Sequence, residues 1–297
     1  MALIPAGDIV KWAYCTNGFA GHRLPEALAV LADLGYTGAA ITLDHGHLDP
    51  FSPGLAAEVS SIAGICARLG LGTVVETGGR YTLDPLRKHH PTLISEDAGR
   101  RVEFLVMAMR VAADLGAPVV HLWSGVRPDG MPEAEAYTRL ARQCARLLDE
   151  ADRVGVTLGF EPEPGMLVAD LDGYERLRAM LGGHPRFGLT LDIGHCHCVE
   201  REDLATCVRR ALPYTVHVQI EDMRRGVHEH LEFGEGEIDF VPALAALRGY
   251  RGLVAVELAR HSPAAPQVAR RSIDFLRRAH EGARTGVAGL GRPAGRG

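Results

Sequence analysis

The stretch Val216–Asp239, VHVQIEDMRRGVHEHLEFGEGEID, decides how the rest of the chain is organised. It starts as a strand, because Val216, Val218 and Ile220 alternate with His217, Gln219 and Glu221. Polar side chains inside a buried strand are costly unless something binds them. A loop then carries Asp222, Arg224, Arg225, His228, Glu229 and His230, and closes on Gly234-Glu235-Gly236. Acid, base and imidazole crowd the end of one strand, which is the pattern of a site rather than of a core. The fold must bring other such strand ends alongside.

Outward from this stretch the same unit recurs. Strands are predicted at Val10–Cys15, Gly38–Leu43, Gly72–Glu76, Pro118–Leu122, Val156–Glu161, Phe187–Asp192, in the opening stretch, and at Leu253–Glu257. Helical spacing follows each: Leu24–Leu34, Leu55–Leu69, Glu96–Leu115 with Ser95 as cap, Pro132–Val154, Leu171–Leu181, Glu200–Leu212, Phe240–Leu247 and Ala264–His280. LVAVEL is almost continuously apolar, as a strand covered on both faces requires. Eight strand-helix units predict an α/β fold, a (β/α)8 TIM barrel forming a single domain over residues 1–282. The glycine-rich segment 283–297 is expected to be disordered. A doubly wound open sheet lacks the Gly-x-Gly-x-x-Gly after the first strand that would support it.

Composition narrows the function. Of 297 residues, 46% are hydrophobic and 23% charged, which is ample for a core. The net charge of -5 gives no bulk attraction to nucleic acid. No apolar run approaches a membrane span. Six cysteines scattered over a long chain do not form a secreted framework, and MALIPAGDIVKW lacks the layout of a signal peptide. A cytoplasmic protein with reduced thiols is expected, and homo-oligomers stay open.

In a barrel of this kind the site lies at the C-terminal strand ends. Those ends offer His45 and His47, Glu76, His121, Glu161, Asp192 with His195, His217 and Gln219, and Glu257. Glu161, Asp192, Gln219 and Glu257 would converge as an oxygen-rich cluster. Three carboxylates held close do not all stay ionised without a cation between them. Mostly oxygen donors favour Mg2+ or Mn2+. Arg80, Lys88 and Arg225 in predicted mouth loops could hold a phosphate or carboxylate, and Trp12, Tyr14 and Trp123 could wall a sugar. His195-Cys196-His197-Cys198 imitates a zinc motif. Neighbours at a strand end point in alternate directions, so all four cannot reach one tetrahedral metal, and both cysteines are assigned to packing. His89-His90 is assigned to a solvated loop.

The segments GFEPEPG, LTLDIGH, HVQIED and VAVEL resemble the xylose isomerase-like superfamily of TIM barrels, which includes sugar and sugar-phosphate isomerases and epimerases. The resemblance runs to about His280. It implies Glu161, Asp192, Gln219 and Glu257 as metal ligands and His217 as a neighbour of the metal. HVQIED followed by HE and GEGEI is similar to the hydroxypyruvate isomerase branch, where glutamine ligates. Glu163 shares the parity of Glu161 and is a substitute for it. The implied chemistry is isomerisation or epimerisation of a small sugar, sugar phosphate or keto acid through a metal-stabilised enediolate. Glu161 and Glu257 would move the proton. His195 would touch substrate oxygen or a further metal.

A second resemblance competes. HEHLEFGEGEI is similar to the third-metal loop of endonuclease IV, a barrel relative using three zinc ions. On that reading Glu76 and His121 join Glu161 around one Zn2+, and His195, His228 and His230 hold another. A small-molecule phosphoesterase would follow. A cyclitol or sugar-acid dehydratase, and a non-enzymatic binding protein, are further alternatives.

Overall fold

Glycines set the beat of the chain. The helices Leu24–Leu34 (α1), Leu55–Leu69 (α2), Ala98–Leu115 (α3) and Glu133–Val154 (α4) each stop at a glycine. At Gly35, φ of 84° returns the backbone N–H to the last turn, a conformation glycine takes without a Cβ penalty. The chain then runs straight into the next strand. The structure, a computed structural model, describes residues 10–286.

The barrel strands are Lys11–Cys15 (β1), Gly38–Thr42 (β2), Gly72–Glu76 (β3), Val119–Trp123 (β4), Thr157–Glu161 (β5), Phe187–Asp192 (β6) and Thr215–Ile220 (β7). Two further strands, Asp222–Arg224 (β8) and Val227–Leu231 (β9), precede the last barrel strand, Leu253–Val256 (β10). The sheet closes in the order β1-β10-β7-β6-β5-β4-β3-β2. Every neighbouring pair is parallel, and β1 bonds both β10 and β2. The predicted (β/α)8 barrel is therefore the fold.

Strand parity divides the interior. Inward from the strands lie small residues, Ala13, Cys15, Ala40, Val74, Val119 and Ala255, with Leu253. Outward, against the helices, lie Trp12, Tyr14, Phe160, Leu189 and Val256. Burying each large apolar side chain contributes roughly 1.5–3 kcal/mol. Small interior residues at the base leave room for long polar side chains at the top.

The local structure departs from expectation at four places. After Leu171–Met180 (α5) comes an unexpected helix, Ile193–Val199 (α6), and the helix predicted from Glu200 starts only at Leu204 (α7, Leu204–Ala211). Asp192 starts α6 by accepting the His195 N–H at 2.7 Å, so the HCHC run is helical rather than strand-like. Helix α3 begins at Ala98, because Ser95 accepts the Thr92 N–H at 2.9 Å instead of capping it. The loop expected after Asp222 is the antiparallel hairpin β8–β9, turned by Arg225-Gly226 with Gly226 at φ 73°. After Phe240–Ala246 (α8), the last helix runs from Ala265 through Thr285 (α9), into the first residues of the tail expected from 283. Residues 287–297 of that tail lie outside the described residues.

Candidate active site

The upper inward positions of the strands carry the polar residues. Glu76 ends β3, His121 and Trp123 lie on β4, Glu161 ends β5, Asp192 ends β6, His217 and Gln219 lie on β7, and Glu257 follows β10. Glu76, His121, Glu161, Asp192, His217 and Gln219 are all buried. The parity that sends Cys15 inward sends Trp12 and Tyr14 outward, so neither walls the cavity. Trp12 meets His280 edge-on, and Tyr14 packs on Phe19 and Tyr36.

A chain of ion pairs crosses the barrel. His121 Nε2 lies 2.6 Å from Glu161 Oε2, and its Nδ1 lies 2.7 Å from Glu76 Oε2, off the line of a hydrogen bond. His217 Nε2 lies 3.0 Å from Glu76 Oε1, and the Gln219 amide nitrogen reaches the same carboxylate at 3.4 and 3.5 Å. Burial works against charge on His121, but Glu76 and Glu161 outweigh it and raise its pKa well above the usual imidazole value. Burial likewise opposes charge on Glu76, yet His121 and His217 pull its carboxyl below the ordinary range.

Beside this chain the acids converge. Carboxylate oxygens of Glu161, Asp192 and Glu257 lie within 4.8 Å of one another. Glu161 Oε1, Asp192 Oδ2 and Gln219 Oε1 are buried without a hydrogen-bond partner. Burial raises the pKa of Glu161, with Glu163 and Glu257 adding to it, and burial likewise raises that of Glu257. Asp192 goes the other way: against the cost of burial, His195 and His230 draw it down. The three converging carboxylates fit a divalent cation, which would satisfy the unpaired oxygens of Glu161 and Asp192 at once. Three of the four expected ligands, Glu161, Asp192 and Glu257, are brought together, and Gln219 has a free oxygen but its amide nitrogen turned to Glu76.

Sequence reasoning missed Glu221 as a site residue. It shares parity with Gln219, is fully buried, and both its oxygens lack a hydrogen bond, with His230 Nδ1 3.7 Å from Oε2. Burial, then Asp192 and Glu257, raise its pKa well above the carboxylate range. With His230 and Glu257 it forms a second group whose ligand atoms lie within 4.8 Å. The signal was present, since residues 217, 219 and 221 alternate onto one face.

The hairpin supplies the roof. His195 Nε2 lies 3.0 Å from His228 Nε2, and His195, His228 and His230 place ligand atoms within 4.8 Å of one another. Burial lowers the pKa of His195 to about 3 and that of His228 to about 4, so both rings are neutral at pH 7 and free to ligate. Of the HCHC run only His195 joins the site. Cys196 and Cys198 are buried in the outer core, as the packing assignment expects, although helical geometry rather than strand alternation separates them.

A cavity of about 180 Å3 opens above the acids, lined among others by Asn17, Glu76, His121, Glu161, Glu163 and Glu257. Arg80, Lys88 and Trp123 reach it as expected, and His89 and Arg260 line it too. His89 corrects the assignment of His89-His90 to solvent. Arg225 does not line it: its side chain turns to the Glu200 carbonyl. His45 pairs with Asp49 at 3.3 Å on the outside. His47 is held by Thr16 Oγ1 at 3.1 Å and the His22 carbonyl at 3.2 Å, also off the cavity. Asn17, after β1, donates to Glu257 Oε1 at 3.0 Å. Burial, with Glu257 next, raises Glu163 to about 7.

A closed parallel barrel with a cluster of acids and imidazoles at its C-terminal mouth defines a barrel enzyme with a metal-type site. The chain belongs to the xylose isomerase-like TIM barrel family, whose profile matches residues 28–279. A curated relative, the L-ribulose-5-phosphate 3-epimerase UlaE of Salmonella paratyphi C (strain RKS4594), is 28% identical over 203 residues, covering 64% of this chain and 69% of that one. Among solved structures, an L-ribulose 3-epimerase aligns with TM-score 0.75 at 21% identity over 96% of this chain and 100% of its own. A D-tagatose 3-epimerase-like protein aligns with TM-score 0.76 at 20% identity over 94% and 100%. The protein is an enzyme of the isomerase and epimerase kind. Among the described residues no helix is long and apolar enough to cross a membrane.

Proposed function

We propose that this protein is a divalent-metal-dependent epimerase or isomerase of a small ketose or ketose phosphate. The observation that carries the proposal is the convergence of Glu161, Asp192 and Glu257 within 4.8 Å, with buried oxygens that no protein donor satisfies. Glu161, Asp192, Gln219 and Glu257 would hold the cation, with Mn2+ or Mg2+ favoured by the oxygen donors. Bound there, it would act as a Lewis acid on a substrate carbonyl and the neighbouring hydroxyl, making the adjacent carbon-bound proton acidic enough to leave.

The chain's own residues would move that proton. His121 fixes one oxygen of Glu161 and leaves the other without a hydrogen bond, 3.3 Å from His195 Nδ1, and Asn17 fixes one oxygen of Glu257. Each carboxylate therefore presents one oriented oxygen. One takes the proton from carbon and the other returns it, to the opposite face in an epimerase or to the next carbon in an isomerase. Glu163, at about 7 and lining the same cavity, supports a substitute for Glu161 in this work. Arg80 and Lys88 line the cavity with no carboxylate partner among the described residues, and Arg260 adds a third cation. They favour an anionic end on the substrate, as in the phosphate named for the curated relative. All six cysteines are free thiols, which supports a cytoplasmic setting.

The His195, His228 and His230 group favours a second reading, a phosphoesterase with two or three zinc ions. Elemental analysis followed by solvent-deuterium exchange separates the two. One Mn2+ or Mg2+ per chain with deuterium entering ketoses beside the carbonyl supports the epimerase. Two or three zincs, with hydrolysis of a phosphodiester and no exchange into any ketose, would overturn it.

A further inference from the structure

We propose that His89 sets substrate size: its imidazole walls the catalytic cavity off from the wider groove beside it and contacts the substrate at that partition. The inference rests on the epimerase reading and deepens it.

The 180 Å3 cavity adjoins a groove of about 660 Å3 that passes Val126, Pro128, Pro164 and Met166. Lys88, His89, Glu163 and His228 line both spaces, so these side chains form the partition. Glu163 belongs to the acid cluster, His228 to the hairpin, and Lys88 is a flexible, exposed chain. His89 is the member built to stay in place. Its ring lies against the Trp123 indole with centroids 5.0 Å apart. Its backbone sits at φ 61°, the one non-glycine residue with positive φ among the described residues. Side chains rarely adopt that region, and where one does, the surroundings must hold it there.

Arg101 does the holding. This guanidinium is buried and has no carboxylate partner among the described residues. Its nitrogens go to main-chain carbonyls at both ends of the loop: Pro91 at 2.8 Å, His89 at 3.0 Å and Thr77 at 3.5 Å. Its carbon also stands 4.8 Å from the centre of the Trp123 ring. The His89 N–H closes the loop on the Arg80 carbonyl. A buried cation is tolerated only when its donors are satisfied, and here the loop that carries His89 satisfies them. Burial, then Lys88 and Arg101, lower His89 to about 3. The ring is therefore neutral in working conditions and offers hydroxyls one donor and one acceptor rather than a charge.

The test compares wild type with His89→Gly and His89→Asn. Glycine takes φ 61° freely, so the loop keeps its path while the ring is removed. Asparagine tolerates the same backbone and restores a donor and an acceptor. Two readouts are taken on metal-loaded protein: kcat and KM for a free ketose phosphate against a ketose extended by a second sugar, and calorimetric Kd for ribitol 5-phosphate, an unreactive polyol. His89→Gly is expected to weaken ribitol 5-phosphate about tenfold and to place its loss on KM for the small ketose. It should gain on the extended one, and His89→Asn should recover most of the Kd. Unchanged Kd and unchanged selectivity, or no binding by wild type, overturn the inference. Wild type that exchanges no ketose proton, while the Kd series still moves, overturns the epimerase reading and leaves this inference standing.

Discussion

His121 Nε2 lies 2.6 Å from Glu161 Oε2, while the other oxygen of that carboxylate, Oε1, is buried without a hydrogen bond, His195 Nδ1 standing 3.3 Å away. One bond therefore aims Glu161. The same imidazole faces Glu76 at 2.7 Å, and Glu76 also takes His217 at 3.0 Å, so the aim is set by a chain of four residues. Replacing His121 by Asn should leave the barrel folded but release Glu161. A loss of about 10–100-fold in metal affinity or kcat is expected, the usual effect of removing a partner that orients a ligand. Calorimetric metal titration and steady-state kinetics check it. Wild-type values for both would remove His121 from the orienting role.

Glu257→Gln tests the acid-base pair directly. The amide keeps the shape and the contact from Asn17 but cannot take a proton. A fall in kcat of about 10²–10⁴ is expected, with circular dichroism unchanged. Metal content measured on the same sample separates lost ligation from lost proton transfer. Near-normal kcat would take Glu257 out of the mechanism.

Metal-free protein should lose stability as pH rises above about 7. Glu161, Glu221 and Glu257 have raised folded pKa values, and Glu163 stands at about 7, against an unfolded value of about 4.3. The folded state then holds protons that the unfolded state has already released. The slope of unfolding free energy with pH is therefore negative, and the stabilisation disappears as pH climbs through the folded values. His195 and His228, lowered to about 3 and 4, act in the opposite sense, but only below their unfolded value of about 6.5. In the window from pH 7 to 9 these two rings are silent, and the carboxylates act together with His121, whose raised pKa has the same sign. Melting temperature should fall there without metal and stay flat with Mn2+. A metal-free melting temperature that rises over this window would contradict the raised pKa values.

The sequence revealed what strand parity controls and hid what loop geometry controls. Glu161, Asp192 and Glu257 could be placed because each is the last inward position of an apolar strand. Glu221 obeyed the same rule, two residues beyond Gln219 in the same alternation, but was not counted among the site residues. The hairpin stayed hidden because β9, VHEHL, presents two histidines and a glutamate, and no apolar alternation announces it. His89 faces the cavity only because its loop folds back through a left-handed residue that Arg101 holds, and neither spacing nor composition signals that. Arg225, expected at the mouth, bonds the Glu200 carbonyl instead, while Arg260, not singled out in the sequence, lines the cavity.

Removing the hairpin imidazoles decides whether the roof holds a second ion. His228→Ala with His230→Ala takes two of the three rings from the His195 group and keeps Glu161, Asp192 and Glu257, although His230 also contacts the Glu257 carbonyl at 3.2 Å. One metal per chain in both the wild type and the double variant is the expected count, with exchange activity reduced rather than abolished. Loss of one ion per chain in the variant would favour the zinc phosphoesterase.

Gly194→Ala probes Glu221 without touching an acid. A Cβ at Gly194 would stand 2.0 Å from Glu221 Oε1 and 2.9 Å from the Met223 methyl. Neither neighbour can yield into solvent, because both residues are fully buried. The Glu221 side chain must shift within the cluster that holds Asp192 and Glu257, whose proximity raises its pKa. Overpacking of this kind costs about 1–3 kcal/mol, so the urea midpoint should drop. Metal affinity should fall at the same time, because the displaced acid disturbs two groups that share Glu257. The two readouts have separate meanings: a lower midpoint with unchanged metal affinity would show that Glu221 is only packed beside the site, and a fall in both would make it part of the metal's environment.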